Sequence, residues 1–131
     1  MEKLELLDDR NCFACGMENL DGLRIEWKIE GMTTTAHFTP QQKYQGWKGI
    51  LHGGIIATLL DEAMTRLACA TCGGAVTAEM TVRFAKPAAI GSLLQIRGEI
   101  VGVKRNLVMM KASIHSGETL IAYSTGKAIK I

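Results

Sequence analysis

A His-Gly-Gly turn that leads directly into an apolar segment is the part of this sequence best suited to chemistry. His52, Gly53 and Gly54 precede the run Ile55 to Leu60, and Asp61 follows directly after it. Glycines at the start of a helix leave backbone N–H groups uncovered, and these groups carry the positive end of the helix dipole. They can bind an anion or stabilise a carbonyl oxygen that gains negative charge during attack. With an acidic side chain as base or nucleophile, the pattern favours acyl chemistry.

The helix that positions these groups is predicted from about Gly53 to Cys72, and a Gly-Gly pair ends it. On a helical wheel Asp61 falls at the border of the apolar arc, where burial would strip water from its carboxylate. The alternative for Asp61 is a solvated place on the helix surface. Glu62 points to the centre of the polar stripe and has Arg66 four residues later, so we expect a structural ion pair there.

The rest of the chain has the pattern of strands and turns, apart from a turn of helix expected at residues 3 to 8. A lone apolar helix needs a sheet to wrap it, so the predicted class is α+β, with a curved antiparallel sheet of about five to six strands around one long central helix. Short turns join the last three strands, which should form an antiparallel meander. The predicted strands are 23–29, 33–38, 76–84, 93–103, 107–115 and 119–131.

Composition restricts the kinds of partner. The 131 residues, 47% of them hydrophobic, fit a single domain over 1–131. The net charge of the chain is only +2, which does not indicate a basic surface for nucleic-acid binding. The first ten residues lack an apolar signal core, and the longest apolar stretch is too short to span a bilayer. We therefore expect a cytoplasmic protein with neither a nucleic-acid nor a membrane partner.

Three segments together resemble the hotdog-fold acyl-CoA thioesterases, in the PaaI-like branch of phenylacetate degradation. They are Gly49 to Gly54 with Asp61-Glu62, Phe84 to Gly91, and the opening Cys12-Phe-Ala-Cys15-Gly16. The resemblance implies hydrolysis of acyl-CoA to CoA and free acid without a cofactor. It also implies dimers joined edge to edge, often paired into homotetramers, whose active sites combine the His-Gly-Gly turn of one subunit with the carboxylate of the other.

The resemblance also suggests a role for each residue of the site. The Gly54 amide would donate to the thioester oxygen, and Gly53 would let the substrate approach without a side chain in the way. His52 would orient the loop or contact the thioester, or only bond the backbone at the helix start. Asp61 would act as base or nucleophile. Thr77 matches a Ser or Thr that places the attacking water, but strand alternation puts it opposite the apolar set, so its reach toward Asp61 should depend on the dimer.

Substrate-binding residues are expected around the same turn. Gln45 stands near the place of an Asn or Gln that many relatives carry before the histidine. Trp47 and Tyr44 would line an acyl pocket or serve only as loop packing. Arg83 and Lys86 could meet the phosphates of a small ligand or remain solvated surface.

The cysteines form two pairs with zinc-like spacing, Cys12 with Cys15 and Cys69 with Cys72. The second pair lies at a helix end, and the first occurs in the family without an obvious metal. We therefore predict that the four cysteines are reduced, small buried side chains that bind no metal. A zinc site remains an open alternative.

A second class of function is a sensor or carrier that binds acyl-CoA without hydrolysing it. Asp61 favours the enzyme, because a pure binding protein has no use for a semi-buried acid facing an electrophile.

Overall fold

The computed structural model describes residues 5 to 131, in which one long helix is wrapped by a six-stranded antiparallel sheet. The element order, the antiparallel pairing and the meander of the last three strands confirm the predicted fold class. The elements are β1 (Lys28–Glu30), β2 (Thr33–Phe38), a 3-10 turn (Gln42–Tyr44), α1 (Gly53–Cys72), β3 (Ala75–Phe84), β4 (Leu94–Lys104), β5 (Leu107–Ser116) and β6 (Thr119–Lys130).

The sheet has the strand order β1-β2-β4-β5-β6-β3, which leaves β3 at one edge. Only β6 pairs with β3 within the described chain, so the other edge of this ten-residue strand offers its N–H and C=O groups to solvent or to a partner. Long unpaired edges are templates for pairing with another chain.

Helix α1 has the predicted bounds because its ends are set by local chemistry. The His52 imidazole caps the first turn, and Gly73 ends the helix in the left-handed region at a φ of 81°. No helix described between residues 5 and 131 is long and apolar enough to cross a membrane. The buried face that packs on the sheet consists of Ile56, Leu59, Leu60, Ala63, Met64, Leu67 and Ala68.

The first strand is much shorter than the predicted 23–29, since only Lys28–Glu30 pairs with β2. The backbone N–H groups of Leu23 and Ile25 donate instead to the carbonyl oxygens of Phe13 and Ala14. The alternating pattern therefore reflects burial against the preceding loop and not against a second strand. The helical turn expected at 3 to 8 lies partly outside the described residues, and residues 5 to 9 form no regular element.

The backbone of helix α1 lies very close to the sheet at Gly98 of β4. A Cβ atom placed on Gly98 would lie 2.6 Å from the carbonyl oxygen of Ala63, a buried helix residue. Because backbone atoms form this contact, no side-chain rotation can relieve it. The absence of a side chain at Gly98 sets how near the helix lies to the sheet.

Gly98→Ala should lower the free energy of unfolding by about 1–3 kcal/mol, because the added methyl group forces the helix off the sheet. Urea unfolding followed by circular dichroism measures this change. Gly102→Ala in the same strand is the matched control, since its Cβ would meet only the mobile end of the Met109 side chain. Equal destabilisation by the two substitutions would contradict this account of the contact.

Candidate active site

The carboxylate of Asp61 is held by two threonine hydroxyls. Its Oδ1 accepts hydrogen bonds from Thr77 Oγ1 at 2.6 Å and from Thr65 Oγ1 at 3.1 Å. The two hydroxyl oxygens are also 2.7 Å apart. Because each threonine has one proton, two of these three contacts are hydrogen bonds at any moment. The group is partly buried, and it joins the middle of α1 to the start of β3.

The prediction that the reach of Thr77 toward Asp61 depends on a dimer is wrong, because the contact forms within one chain. The reason is a β-bulge between Thr77 and Glu79, which inserts one residue and shifts the alternation of β3. Thr77 pairs with Ala128 and Met80 pairs with Gly126, so both side chains point toward the helix although three positions separate them.

The backbone amides at the glycine turn, residues 52–54, differ in whether they have a hydrogen-bond acceptor. The Gly54 N–H, expected to meet the thioester oxygen, donates to His52 Nδ1 at 2.8 Å. The Ile55 and Ile56 amides donate to the His52 carbonyl oxygen, while no residue between 5 and 131 accepts from the Gly53 N–H. Since Nδ1 is an acceptor here, the ring proton lies on Nε2. His52 therefore caps the helix and occupies the Gly54 N–H, whereas the Gly53 N–H has no acceptor among residues 5 to 131.

An open groove of about 520 Å³ lies beside the glycine turn, and Gln45, Trp47, His52 and Gly53 all line it. Trp47 is 85% exposed and is free to contact a ligand. Gln45 Oε1 accepts from the Gly49 N–H at 3.0 Å, so part of this side chain holds the loop in place. Four residues predicted from the sequence thus share one groove.

Tyr44 has a packing role. Its hydroxyl donates to the Gly22 carbonyl oxygen at 3.3 Å, and its ring lies 5.9 Å from that of Phe38. Of the two alternatives for Tyr44, the structure supports packing, and it leaves Trp47 as the aromatic side chain of the groove.

Arg83 lies near the far end of β3 and Lys86 just beyond it; both are exposed and lie outside the groove. The Phe84 ring between them lies 3.5 Å from the place of a Cβ on Gly53. The strand therefore passes along the helix, with Thr77 beside Asp61 at one end and Phe84 beside the glycine turn at the other.

Asp61 and the glycine turn lie on the same side of α1 but at different positions along the helix axis. Asp61 follows Gly54 by seven residues, which is about 10 Å along the axis and only about 20° around it. A reacting carbonyl must lie about 3 Å from both the attacking group and the oxyanion donor. A single chain therefore does not bring these two groups to one carbonyl.

The predicted ion pair between Glu62 and Arg66 is absent from the part of the chain described, residues 5 to 131. Arg66 Nη1 donates instead to Cys15 Sγ at 3.0 Å. The N-terminal cysteine loop covers this side of α1 and leaves Glu62 half-buried. Burial raises the pKa of Glu62, although the Cys15 thiol and the Arg66 charge lower it in part. Burial and a hydrogen bond with Cys12 raise the pKa of Cys15 to about 12.

Curated proteins are similar in sequence to this chain over most of its length. Acyl-coenzyme A thioesterase THEM4 of Bos taurus is 29% identical over 133 residues, which cover 97% of this chain and 54% of the relative. The Xenopus laevis protein of the same name is 29% identical over 94 residues, or 72% of this chain and 42% of the relative. The chain thus spans about half the length of the curated relatives it matches.

Solved structures share the fold. The PaaI protein of the E. coli phenylacetic acid degradation operon has a TM-score of 0.77 at 19% identity, covering 83% of this chain and 80% of that one. A Streptococcus mutans protein bound to acetyl CoA has a TM-score of 0.77 at 21% identity, covering 82% and 88%. These similarities confirm the predicted hotdog fold.

A family model described as Thioesterase superfamily matches residues 48–122. This span includes the glycine turn, Asp61 and the bulged strand that carries Thr77, and it is more than half of the 131 residues. The chain belongs to the thioesterase superfamily.

Proposed function

We propose that this protein hydrolyses acyl-CoA thioesters to CoA and free acid. The observation that carries the proposal is the Asp61 carboxylate, held by Thr77 and Thr65 on the same side of α1 as the glycine turn. Within residues 5 to 131 no basic side chain forms an ion pair with Asp61, so its charge is not already neutralised. The acyl-coenzyme A thioesterase relatives agree with this chemistry.

In the proposed reaction a water molecule attacks the thioester carbonyl while Asp61 takes its proton. Negative charge then develops on the carbonyl oxygen, where amides of the glycine turn stabilise it. The intermediate collapses, the C–S bond breaks, and the CoA thiolate leaves. Alternatively, Asp61 attacks the carbonyl carbon directly, the C–S bond breaks and the CoA thiolate leaves. Water then hydrolyses the resulting anhydride to free acid and restores the Asp61 carboxylate. In both routes the two threonines keep the reacting carboxylate in place.

The active site is proposed to lie between two copies of the chain. If two β3 edges pair antiparallel with their midpoint between Met80 and Thr81, Thr77 of one copy lies opposite Phe84 of the other. Asp61 of one copy then approaches the glycine turn of its partner, which closes the distance of about 10 Å that a single helix imposes. A homodimer is therefore the smallest active unit in this proposal, and a homotetramer would be a pair of such dimers.

The substrate is proposed to lie along the groove and across the end of β3. Trp47 and Gln45 would contact the thioester end, with Gly53 allowing close approach of the acyl group. Arg83 and Lys86 would bind the CoA phosphates through charge-assisted hydrogen bonds. Four free cysteines fit a reducing compartment, so we propose a cytoplasmic location.

Asp61→Asn should lower kcat about 10²–10⁴-fold, because the amide keeps the shape of the side chain but cannot accept the proton. CoA thiol release over a panel of aliphatic and aryl acyl-CoAs measures the change. Glu118→Gln, at an exposed turn, is the matched control. Full activity of Asp61→Asn would reject its role. Tight binding of acyl-CoA by the wild type with no turnover on any substrate would instead favour a sensor or carrier.

Thr77→Val should lower kcat by about tenfold or more with little change in KM, since a hydrogen bond to a charged group contributes about 1.5–3 kcal/mol. Thr77→Ser should restore most of the activity, because it returns the hydroxyl. Thr81→Val on the outer face of the same strand is the control. If Val and Ser at position 77 have the same effect, Thr77 serves packing and does not position Asp61.

A mixed dimer tests whether two chains share one site. Asp61→Asn and Gly53→Val chains with different tags are co-expressed, and the heterodimer is purified on both tags. Each parent should be nearly inactive, whereas the heterodimer should recover activity because one of its two sites contains both intact parts. A heterodimer as inactive as its parents would show that Asp61 works with the glycine turn of its own chain.

A further inference from the structure

A second cluster of reactive side chains lies between the N-terminal loop and α1, at the helix residue that follows Asp61. Cys12 Sγ, Cys15 Sγ and a carboxylate oxygen of Glu62 all lie within 4.8 Å of one another. The two cysteines come from the N-terminal loop, and Glu62 follows Asp61 on the helix. The proposed thioesterase reaction uses none of these three groups.

Glu62 is the most informative member of the cluster. Its Oε2 is buried and has no hydrogen-bond partner among the described residues. A buried carboxylate oxygen without a partner is costly, and an ion in contact with it is one of the standard explanations. Since both sulfur atoms are near the carboxylate, the cluster offers two soft ligands and one hard ligand to the same point.

We propose that Cys12, Cys15 and Glu62 bind a zinc ion. The Cys-x-x-Cys spacing is typical of zinc sites, and zinc accepts sulfur and carboxylate oxygen together. Bond lengths of about 2.3 Å to sulfur and about 2.0 Å to oxygen in a tetrahedral site place ligand atoms about 3.7 Å apart. The cluster would therefore have to contract by at most about 1 Å, which side-chain rotation of the exposed Cys12 can provide.

The surroundings of the cluster suit this ion. The Arg66 guanidinium already donates to Cys15 Sγ, and its charge would balance the one negative charge left by two thiolates, one carboxylate and Zn²⁺. The Gly16 N–H donates to the Cys12 carbonyl oxygen at 2.9 Å and closes the loop between the two thiols. A Cβ on Gly16 would lie 2.3 Å from the Cys12 nitrogen, so the tight loop requires glycine.

The other two cysteines do not belong to this site. The Cys69 thiol donates to the Ala75 carbonyl oxygen at 3.3 Å, and Cys72 lies at the end of α1. Neither has a ligand atom in the group formed by the first pair among residues 5 to 131. The four-cysteine zinc site left open by the sequence is therefore replaced by a site of three protein ligands, with water in the fourth position.

The full-length, reduced protein tests the proposal. Zinc content is measured by mass spectrometry of the metal, and affinity by competition with a chelating dye. Cobalt substitution then reports thiolate ligands through a charge-transfer absorption band. We expect one zinc ion per chain. Loss of a group that only supports a metal ligand lowers metal affinity about 10–100-fold. Cys15→Ser removes a ligand itself, so it should lower the zinc affinity by more than that. Glu62→Gln should weaken it measurably without loss of the cobalt–thiolate band.

Cys72→Ser is the matched control and should keep the wild-type affinity. Circular dichroism of each variant separates loss of the ligand from loss of the fold. The proposal is overturned if reduced wild-type protein takes up no zinc, if Cys15→Ser keeps its affinity while folded, or if Cys72→Ser loses it. A Cys12–Cys15 disulfide in protein that takes up no zinc after reduction would assign the pair a redox role instead.

Discussion

The hydrogen bond of 2.6 Å from Thr77 to Asp61 is the contact on which the candidate site depends. It crosses from the edge strand to the helix and fixes a carboxylate at the place where they meet. Hydroxyl donors satisfy the carboxylate without neutralising it, whereas an ion pair would compete with any reacting proton or carbonyl. The arrangement therefore keeps an acid that is held in position and still available for chemistry.

That contact exists only because of an irregularity in β3. The sequence allows the helix limits to be predicted, since glycines at both ends have clear local causes in capping and left-handed backbone. Most strand limits also follow from alternation and turns. The bulge between Thr77 and Glu79 leaves no such signal, because an inserted Ala78 can fit the alternating pattern equally well. Thr77 could be singled out by its resemblance to family members, but its direction could not.

The predictions on the second carboxylate failed for a different reason. A helical wheel describes α1 as if water surrounded its polar stripe, and on that basis Glu62 and Arg66 should pair. In the structure the loop around Cys12 and Cys15 covers the stripe and takes the Arg66 hydrogen bond. Such a contact joins residues about fifty positions apart and has no periodicity. Local patterns therefore predict the face that packs on the sheet better than the face that a loop covers.

Helix rigidity gives the strongest physical argument for a shared site. The glycine turn and Asp61 are two turns apart on one continuous helix, and no change short of breaking its backbone hydrogen bonds would bring them together. Strand β3 follows the same span, with Thr77 at one end and Phe84 at the other, and its outer edge is free within the described chain. In the proposed dimer, a two-fold axis through that edge would exchange the ends, so that each helix would supply an acid to one site and a glycine turn to the other. In the proposed enzyme, the same unpaired edge that would otherwise favour aggregation is what completes the chemistry.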